Sequence, residues 1–98
     1  MRESDFRTYL ENAEQINSKN KAVNSRISRA NTAEEILNGE SLDYIVADDE
    51  RMYAALVRIN DNPKERGGNI QNAVRWYYKF ANGKSFPTLV SYRRLYNK

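Results

Sequence analysis

One stretch near the C-terminal end of the chain combines cations, amides and aromatic rings at helical spacing, and it reads NIQNAVRWYYKFANGK over residues 69–84. Cations neutralise phosphates, amides hydrogen-bond base edges or phosphates, and flat rings pack against sugars or unstacked bases. The side chains of this stretch that suit such contacts are Gln71, Asn72, Arg75, Tyr78, Lys79 and Lys84. The pattern predicts a helix that faces nucleic acid.

Four aromatic residues lie within this predicted helix, and the helical period divides them into two groups. Tyr77 and Phe80 fall on the apolar side, so we expect them in the core. Trp76 and Tyr78 fall outside that side and are the candidates for stacking against bases. The alternative is that these two rings cover neighbouring helices as an amphipathic rim.

Charge is distributed unevenly along the chain, although the net value is only +3. Residues 17–31 contain four cations and no acid, residues 32–50 contain seven acids and no cation, and residues 64–98 contain eight cations and one acid. Such an arrangement predicts a surface that attracts a polyanion and another that repels it. The alternative is that each run is an ordinary solvated helix face.

The composition offers few residues for catalysis or for metal binding. The chain has neither cysteine nor histidine, which removes disulfides, thiolate metal sites and the commonest general base. No set of nucleophile, base and orienting group can be assembled, so we expect a protein that is not an enzyme and has no cofactor. Residues 48–50 carry three successive carboxylates that could hold a hard divalent ion, but such a run more often caps a helix, which we expect here.

A glycine pair precedes the predicted helix in the turn formed by Arg66, Gly67, Gly68 and Asn69. Glycine flexibility and exposed helix N–H groups favour an anion at such a turn. The turn lacks the spacing of a nucleotide-binding loop. It therefore predicts either a contact from Arg66 and the turn to a DNA phosphate or no ligand.

The length of 98 residues predicts one domain with one core. No apolar run approaches the ~18–20 residues of a membrane span, and the first residues lack the apolar segment of a signal peptide. We expect a soluble, cytoplasmic protein.

The first half of the chain shows a helical period throughout. Ser4 is the predicted cap of a first helix that ends near Gln15 or Ile16. Ser18 or Asn20 is the predicted cap of a second helix. Thr32 and Glu35 fit a capping box, which predicts a separate helical segment from about Ala33 to Gly39. The apolar residues of these helices are Phe6, Tyr9, Leu10, Ala13, Val23, Ile27 and Ala30.

The second half continues the same pattern. A short apolar patch over residues 42–46 leads to Asp48, the predicted cap of an amphipathic helix that ends at residues 60–63. Asn69 is the predicted cap of the long helix, which closes at Asn82 and Gly83, and Tyr92 belongs to a last short helix that docks back. The predicted fold class is all-α, a compact bundle of four to six short helices.

With these elements placed, the chain resembles the N-terminal core-binding domain of tyrosine recombinases and phage integrases, a small helical module described as SAM-like. The resemblance covers about residues 4–84. It rests on Phe6, Tyr9 and Leu10 in the first helix, on SKNKAVNSR over residues 18–26 and on the aromatic-rich residues 69–80.

The resemblance implies a module that clamps one face of double-stranded DNA while a separate domain performs catalysis. The second helix would contribute Lys19, Lys21, Asn24, and Arg26 or Arg29. The long helix would contribute Gln71, Asn72, Arg75, Tyr78 and Lys79, and Lys84 would extend the strip. Strand exchange needs arginines and a histidine around a tyrosine, so this chain alone would not perform it.

A second hypothesis comes from the acidic residues 32–50. Clustered carboxylates can imitate a phosphate backbone for a basic partner. The chain would then be a protein-interaction module, such as a phage-type antagonist or adaptor of a nucleic-acid-processing enzyme.

Overall fold

Six helices make up the regular structure of the chain in a computed structural model that describes residues 1–13 and 19–96, without the side chains of residues 19 and 20. The helices are α1 (Glu3–Glu11), α2 (Lys19–Ile36), α3 (Leu42–Val46), α4 (Asp49–Asn60), α5 (Asn69–Asn82) and α6 (Leu89–Tyr96). The all-α fold class predicted from the helical period is confirmed.

The two longest helices, α2 and α5, pack against each other and form the centre of the bundle. Helix α1 contacts both of them, α3 and α4 contact α5 and each other, and α6 packs on α4. Each helix contributes buried apolar side chains to one continuous core. Because α5 packs against α1, α2, α3 and α4, only part of its surface is available for a ligand.

Helix α2 is longer than its sequence predicts, because the predicted break at Thr32 is wrong. Thr32 does not cap a new helix, and its Oγ1 instead donates a hydrogen bond to the Ser28 carbonyl at 3.1 Å. Ala33 is fully buried and continues the apolar stripe from the preceding turns. The helix ends where Asn38 and Gly39 adopt positive φ angles of 60° and 81°. Burial of one uninterrupted stripe therefore outweighs a local capping signal.

The predicted caps have different outcomes. Asp48 caps α4 as predicted, because its carboxylate accepts hydrogen bonds from the Glu50 and Arg51 N–H groups at 2.8 and 3.1 Å. Ser4 lies within α1, which begins at Glu3 without a side-chain cap. Asn69 does not cap α5 either, since Gly68 occupies the capping position. The predicted end of the first helix near Gln15 or Ile16 is wrong, because α1 ends at Glu11. Of the two predicted caps of the second helix, Ser18 lies outside the described residues and Asn20 lies within α2.

No helix in the described ranges combines the length and the apolar character needed to cross a membrane.

Candidate nucleic-acid interface

Helices α2 and α5 bring two cations together at one indole ring. The Arg26 Cζ atom lies 5.3 Å from the centroid of the Trp76 ring, and the Lys79 Nζ atom lies 5.7 Å from it. Both distances are within the range of a cation–π interaction. Trp76 is half-buried and packs edge-on against Tyr9, with the ring centroids 6.3 Å apart. We call Arg26, Trp76 and Lys79 the cation cluster.

Within the part of the chain that the structure describes, the cations of this cluster have no carboxylate partner. The ion pairs recorded there join Met1 or Arg2 to Glu34 or Asp43, and none of them includes Arg26 or Lys79. The Arg26 Nε atom is buried without a hydrogen-bond partner. Burial lowers the pKa of Arg26, and the nearby charge of Arg29 lowers it further. An incompletely paired guanidinium is stabilised by an incoming anion.

Other predicted contacts on α2 lie at the surface. Lys21 and Asn24 are exposed and Arg29 is half-buried, while the side chain of Lys19 lies outside the described part of the chain. The Asn24 Oδ1 atom accepts a hydrogen bond from Arg7 Nη1 at 2.7 Å. Sequence reasoning missed Arg7, although it is the one cation within α1 and could have been noticed for that reason.

A cavity of about 290 Å³ lies between α5 and the segment that follows it, which we call the α5 groove. Its lining residues are Asn72, Arg75, Trp76, Lys79, Ser85 and Phe86. Asn72, in α5, is exposed, and so is Lys84, in the segment that follows α5. Four of the lining residues come from α5, so the groove runs beside the cation cluster and shares Trp76 and Lys79 with it.

Arg75 is not the freely exposed cation that the sequence predicts. Its side chain is half-buried, and Nη1 donates hydrogen bonds to the carbonyl oxygens of Phe86 and Pro87, both at 3.0 Å. Burial lowers the pKa of Arg75. Arg75 therefore fixes the segment after α5 in place, and its Nε and Nη2 donors have no partner among the described residues.

The prediction that Tyr78 is available to DNA is wrong. Tyr78 is only 2% exposed, and its hydroxyl donates a hydrogen bond to Asp49 Oδ1 at 2.8 Å. Burial and the bond to Asp49 raise the pKa of Tyr78 to about 12. The reason for its burial is Phe86, whose ring packs edge-on at 5.1 Å and covers the side of α5 that an isolated helix would expose. Of the two stacking candidates, only Trp76 remains near the surface.

The glycine turn before α5 does not present an empty anion site, because the chain fills it with its own carboxylate. Glu65 Oε1 accepts hydrogen bonds from the Arg66 and Ile70 N–H groups at 2.9 Å, and Oε2 accepts one from the Gln71 N–H at 2.8 Å. A DNA phosphate at this turn would meet that carboxylate, so the structure favours the alternative in which the turn holds no ligand. The Arg66 side chain itself is exposed.

Gln71 is also less available than its sequence position predicts. Its Nε2 atom donates a hydrogen bond to Asn60 Oδ1 at 3.1 Å, which ties α5 to the end of α4. The residue is half-buried. Its amide therefore has a structural partner already.

Much of the acidic segment is engaged within the protein. Glu34 accepts a hydrogen bond from the Leu42 N–H at 2.9 Å and lies 3.2 Å from the Met1 ammonium group. Asp43 accepts hydrogen bonds from the Tyr77 hydroxyl at 2.5 Å and from Arg2 Nε at 2.9 Å. Although burial works to raise it, these bonds hold the pKa of Asp43 below its ordinary value. With Asp48 capping α4 and Asp49 bound to Tyr78, these carboxylates stabilise the fold.

Comparisons of the chain with protein-family models, with curated proteins and with solved structures give no significant match.

Proposed function

We propose that this chain is a non-catalytic DNA-binding module that grips the phosphates of duplex DNA with α2 and α5. The observation that carries the proposal is the cation cluster, in which Arg26 of α2 and Lys79 of α5 lie beside the same Trp76 ring without a carboxylate partner among the residues that the structure describes. Cations of one surface act together on a phosphate backbone, and affinity rises with the number of phosphates they neutralise.

The distribution of the carboxylates supports the same role. Glu34, Asp43, Asp48 and Asp49 make hydrogen bonds or ion pairs with the first two residues of the chain or with groups on α3, α4 and α5, and none of them lies within ion-pair distance of the cluster. A polyanion that approaches Arg26 and Lys79 therefore meets cations that these four carboxylates do not neutralise. Lys21 in α2 and Lys84 after α5 are further exposed cations of the same two segments.

This role agrees with the one implied by the resemblance to core-binding domains of tyrosine recombinases and phage integrases. In such an arrangement α2 and α5 contact the backbone, while the exposed amides of Asn24 and Asn72 contact phosphates or base edges. The module would then be an accessory of a recombination, restriction or other DNA-processing system.

Salt dependence of the affinity for duplex DNA tests the proposal. Fluorescence anisotropy with a labelled duplex should give a linear plot of log affinity against log salt, with a slope of roughly −4 to −5 if about 4–6 phosphates are neutralised. An affinity that does not change with salt, or no binding at low salt, would reject the proposal.

A second candidate function is a protein-interaction module, and the observation in its favour is the set of exposed apolar residues on α6. Val90, Leu95 and Tyr96 are 62%, 70% and 56% exposed, although they are large apolar or aromatic residues. Exposed apolar residues grouped on one element can mark a docking surface. Binding to a protein that requires Val90 and Leu95 and survives the loss of Lys79 would favour this function. Loss of DNA binding with Lys79, and not with Val90 and Leu95, would favour the first.

A further inference from the structure

We propose that the α5 groove receives a single unpaired base of the bound DNA, an inference that rests on the proposed function and names its preferred substrate. The groove has the two kinds of surface that a base requires. Trp76 is half-buried and offers an aromatic face, the buried ring of Phe86 lines the groove as a fixed apolar surface, and Asn72 and Ser85 offer hydrogen-bond donors and acceptors for a base edge.

The size of the groove limits what it can hold. A volume of about 290 Å³ lies at the lower end of the ~300–1,000 Å³ typical of small-molecule sites. The groove therefore suits one planar ring system with its sugar outside, and it is too small for a stacked run of bases. The Trp76 ring and the apolar lining by Phe86 would contribute little to a phosphate contact, which needs only cations and N–H groups.

The wall formed by Phe86 is fixed before a ligand arrives. Phe86 is buried, and its ring packs against Tyr78 and Tyr92 with centroid distances of 5.1 and 5.3 Å. The two hydrogen bonds from Arg75 to the Phe86 and Pro87 carbonyls hold the backbone behind the ring. The chain leaves α5 at Gly83, whose φ of 72° is a conformation that residues with a Cβ atom rarely adopt. Such preorganisation lowers the cost of binding.

The cations beside the groove explain how a strand would hold the base there. Lys79 lies over the Trp76 ring and has no carboxylate partner in residues 1–13 and 19–96, so its ammonium group can leave the ring for a phosphate while a base takes its place. The free Nε and Nη2 donors of Arg75 are available for a second phosphate. An intact duplex keeps its bases stacked, and extracting one costs free energy, whereas an unpaired base is extracted at less cost.

The intrinsic fluorescence of Trp76 tests the inference directly, because Trp76 is the only tryptophan in the chain. Three labelled DNAs of equal length are compared: an intact duplex, a duplex with one bulged base, and a duplex with a bulged abasic residue. We expect the bulged base to raise the affinity at least about fivefold over both other DNAs and to quench Trp76 more strongly. Equal affinities and equal quenching for the three DNAs would overturn the inference and leave the proposed function intact. Failure of all three to bind would instead reject the proposed function.

Two substitutions on the same helix provide a matched pair. Asn72→Leu removes the amide that lines the groove. Asn69→Leu makes the same change at an exposed position of α5 that does not line the groove. We expect Asn72→Leu to remove most of the preference for the bulged base while keeping the affinity for intact duplex. Asn69→Leu should keep the preference. If the two variants behave alike, the groove is not where the base binds.

Discussion

The guanidinium group of Arg26, in α2, lies over the indole ring of Trp76, in α5, with the Cζ atom 5.3 Å from the ring centroid. This contact places a cation of the first basic segment beside Lys79 of the second. It also leaves the buried Arg26 Nε without a hydrogen-bond partner. The contact brings cations of two distant segments to one ring, which links the packing of α2 and α5 to the proposed ligand.

Removal of the Lys79 charge should weaken DNA binding through the phosphate contacts. We expect Lys79→Gln to lower the affinity for all duplex sequences alike and to reduce the salt slope by about 1 in magnitude. The measurement is anisotropy at several salt concentrations. Lys64→Gln is the matched control, because Lys64 is an exposed cation in the loop after α4 and does not line the groove. Equal slopes for Lys79→Gln and the unsubstituted protein would contradict the prediction.

Arg75 should matter more for stability than an exposed cation does. Arg75→Met keeps the aliphatic stem but loses the two hydrogen bonds to the Phe86 and Pro87 carbonyls, so we expect the free energy of unfolding to fall by about 1–2 kcal/mol. Urea denaturation followed by circular dichroism measures this loss. Arg94→Met, at an exposed position of α6 without a recorded partner, should change stability little. Equal stabilities of the two variants would show that the Arg75 bonds contribute nothing.

The Glu65 carboxylate should stabilise the start of α5. Glu65→Ala leaves the N–H groups of Arg66, Ile70 and Gln71 without their acceptor, and we expect it to cost about 1–2 kcal/mol of unfolding free energy. Thermal or chemical denaturation provides the measurement, with Glu40→Ala as the control at an exposed carboxylate. The same variant should gain affinity for inorganic phosphate if Glu65 is what fills the turn. A protein as stable as the unsubstituted one would show that these bonds are not important for the helix.

Alkaline pH should reveal the buried hydroxyl of Tyr77. Burial and the hydrogen bond to Asp43 raise the pKa of Tyr77 to about 12 from the ordinary value of 10.0. Since the unfolded chain then loses this proton at a lower pH than the folded chain, stability is retained below about pH 10 and is lost as pH rises to about 12. The free energy of unfolding should fall less steeply over this range in Tyr77→Phe. Tyr44→Phe, at an exposed position, should follow the unsubstituted protein. Parallel curves for Tyr77→Phe and the unsubstituted protein would contradict the prediction.

Local signals predicted several parts of the fold correctly. The helical period placed Tyr77 on the buried side of α5, and a carboxylate just before an apolar helix identified Asp48 as a cap. Such features depend on residues within one or two turns, and the sequence contains all of that information. The capping box at Thr32 failed for the opposite reason, since the continuous burial of α2 against α5 decides whether the helix stops there.

The sequence by itself determined that the chain is all-helical, that its cations concentrate in two separate segments, and that Trp76 and Lys79 lie one turn apart on the same helix. Only the tertiary structure decided which of these groups meet a partner. Phe86 returns to cover Tyr78, Glu65 folds back onto the start of α5, and Arg26 reaches Trp76 across the interface of α2 and α5. A helical period shows which side of a helix is apolar, but the covering of its polar side depends on contacts between residues far apart in the chain.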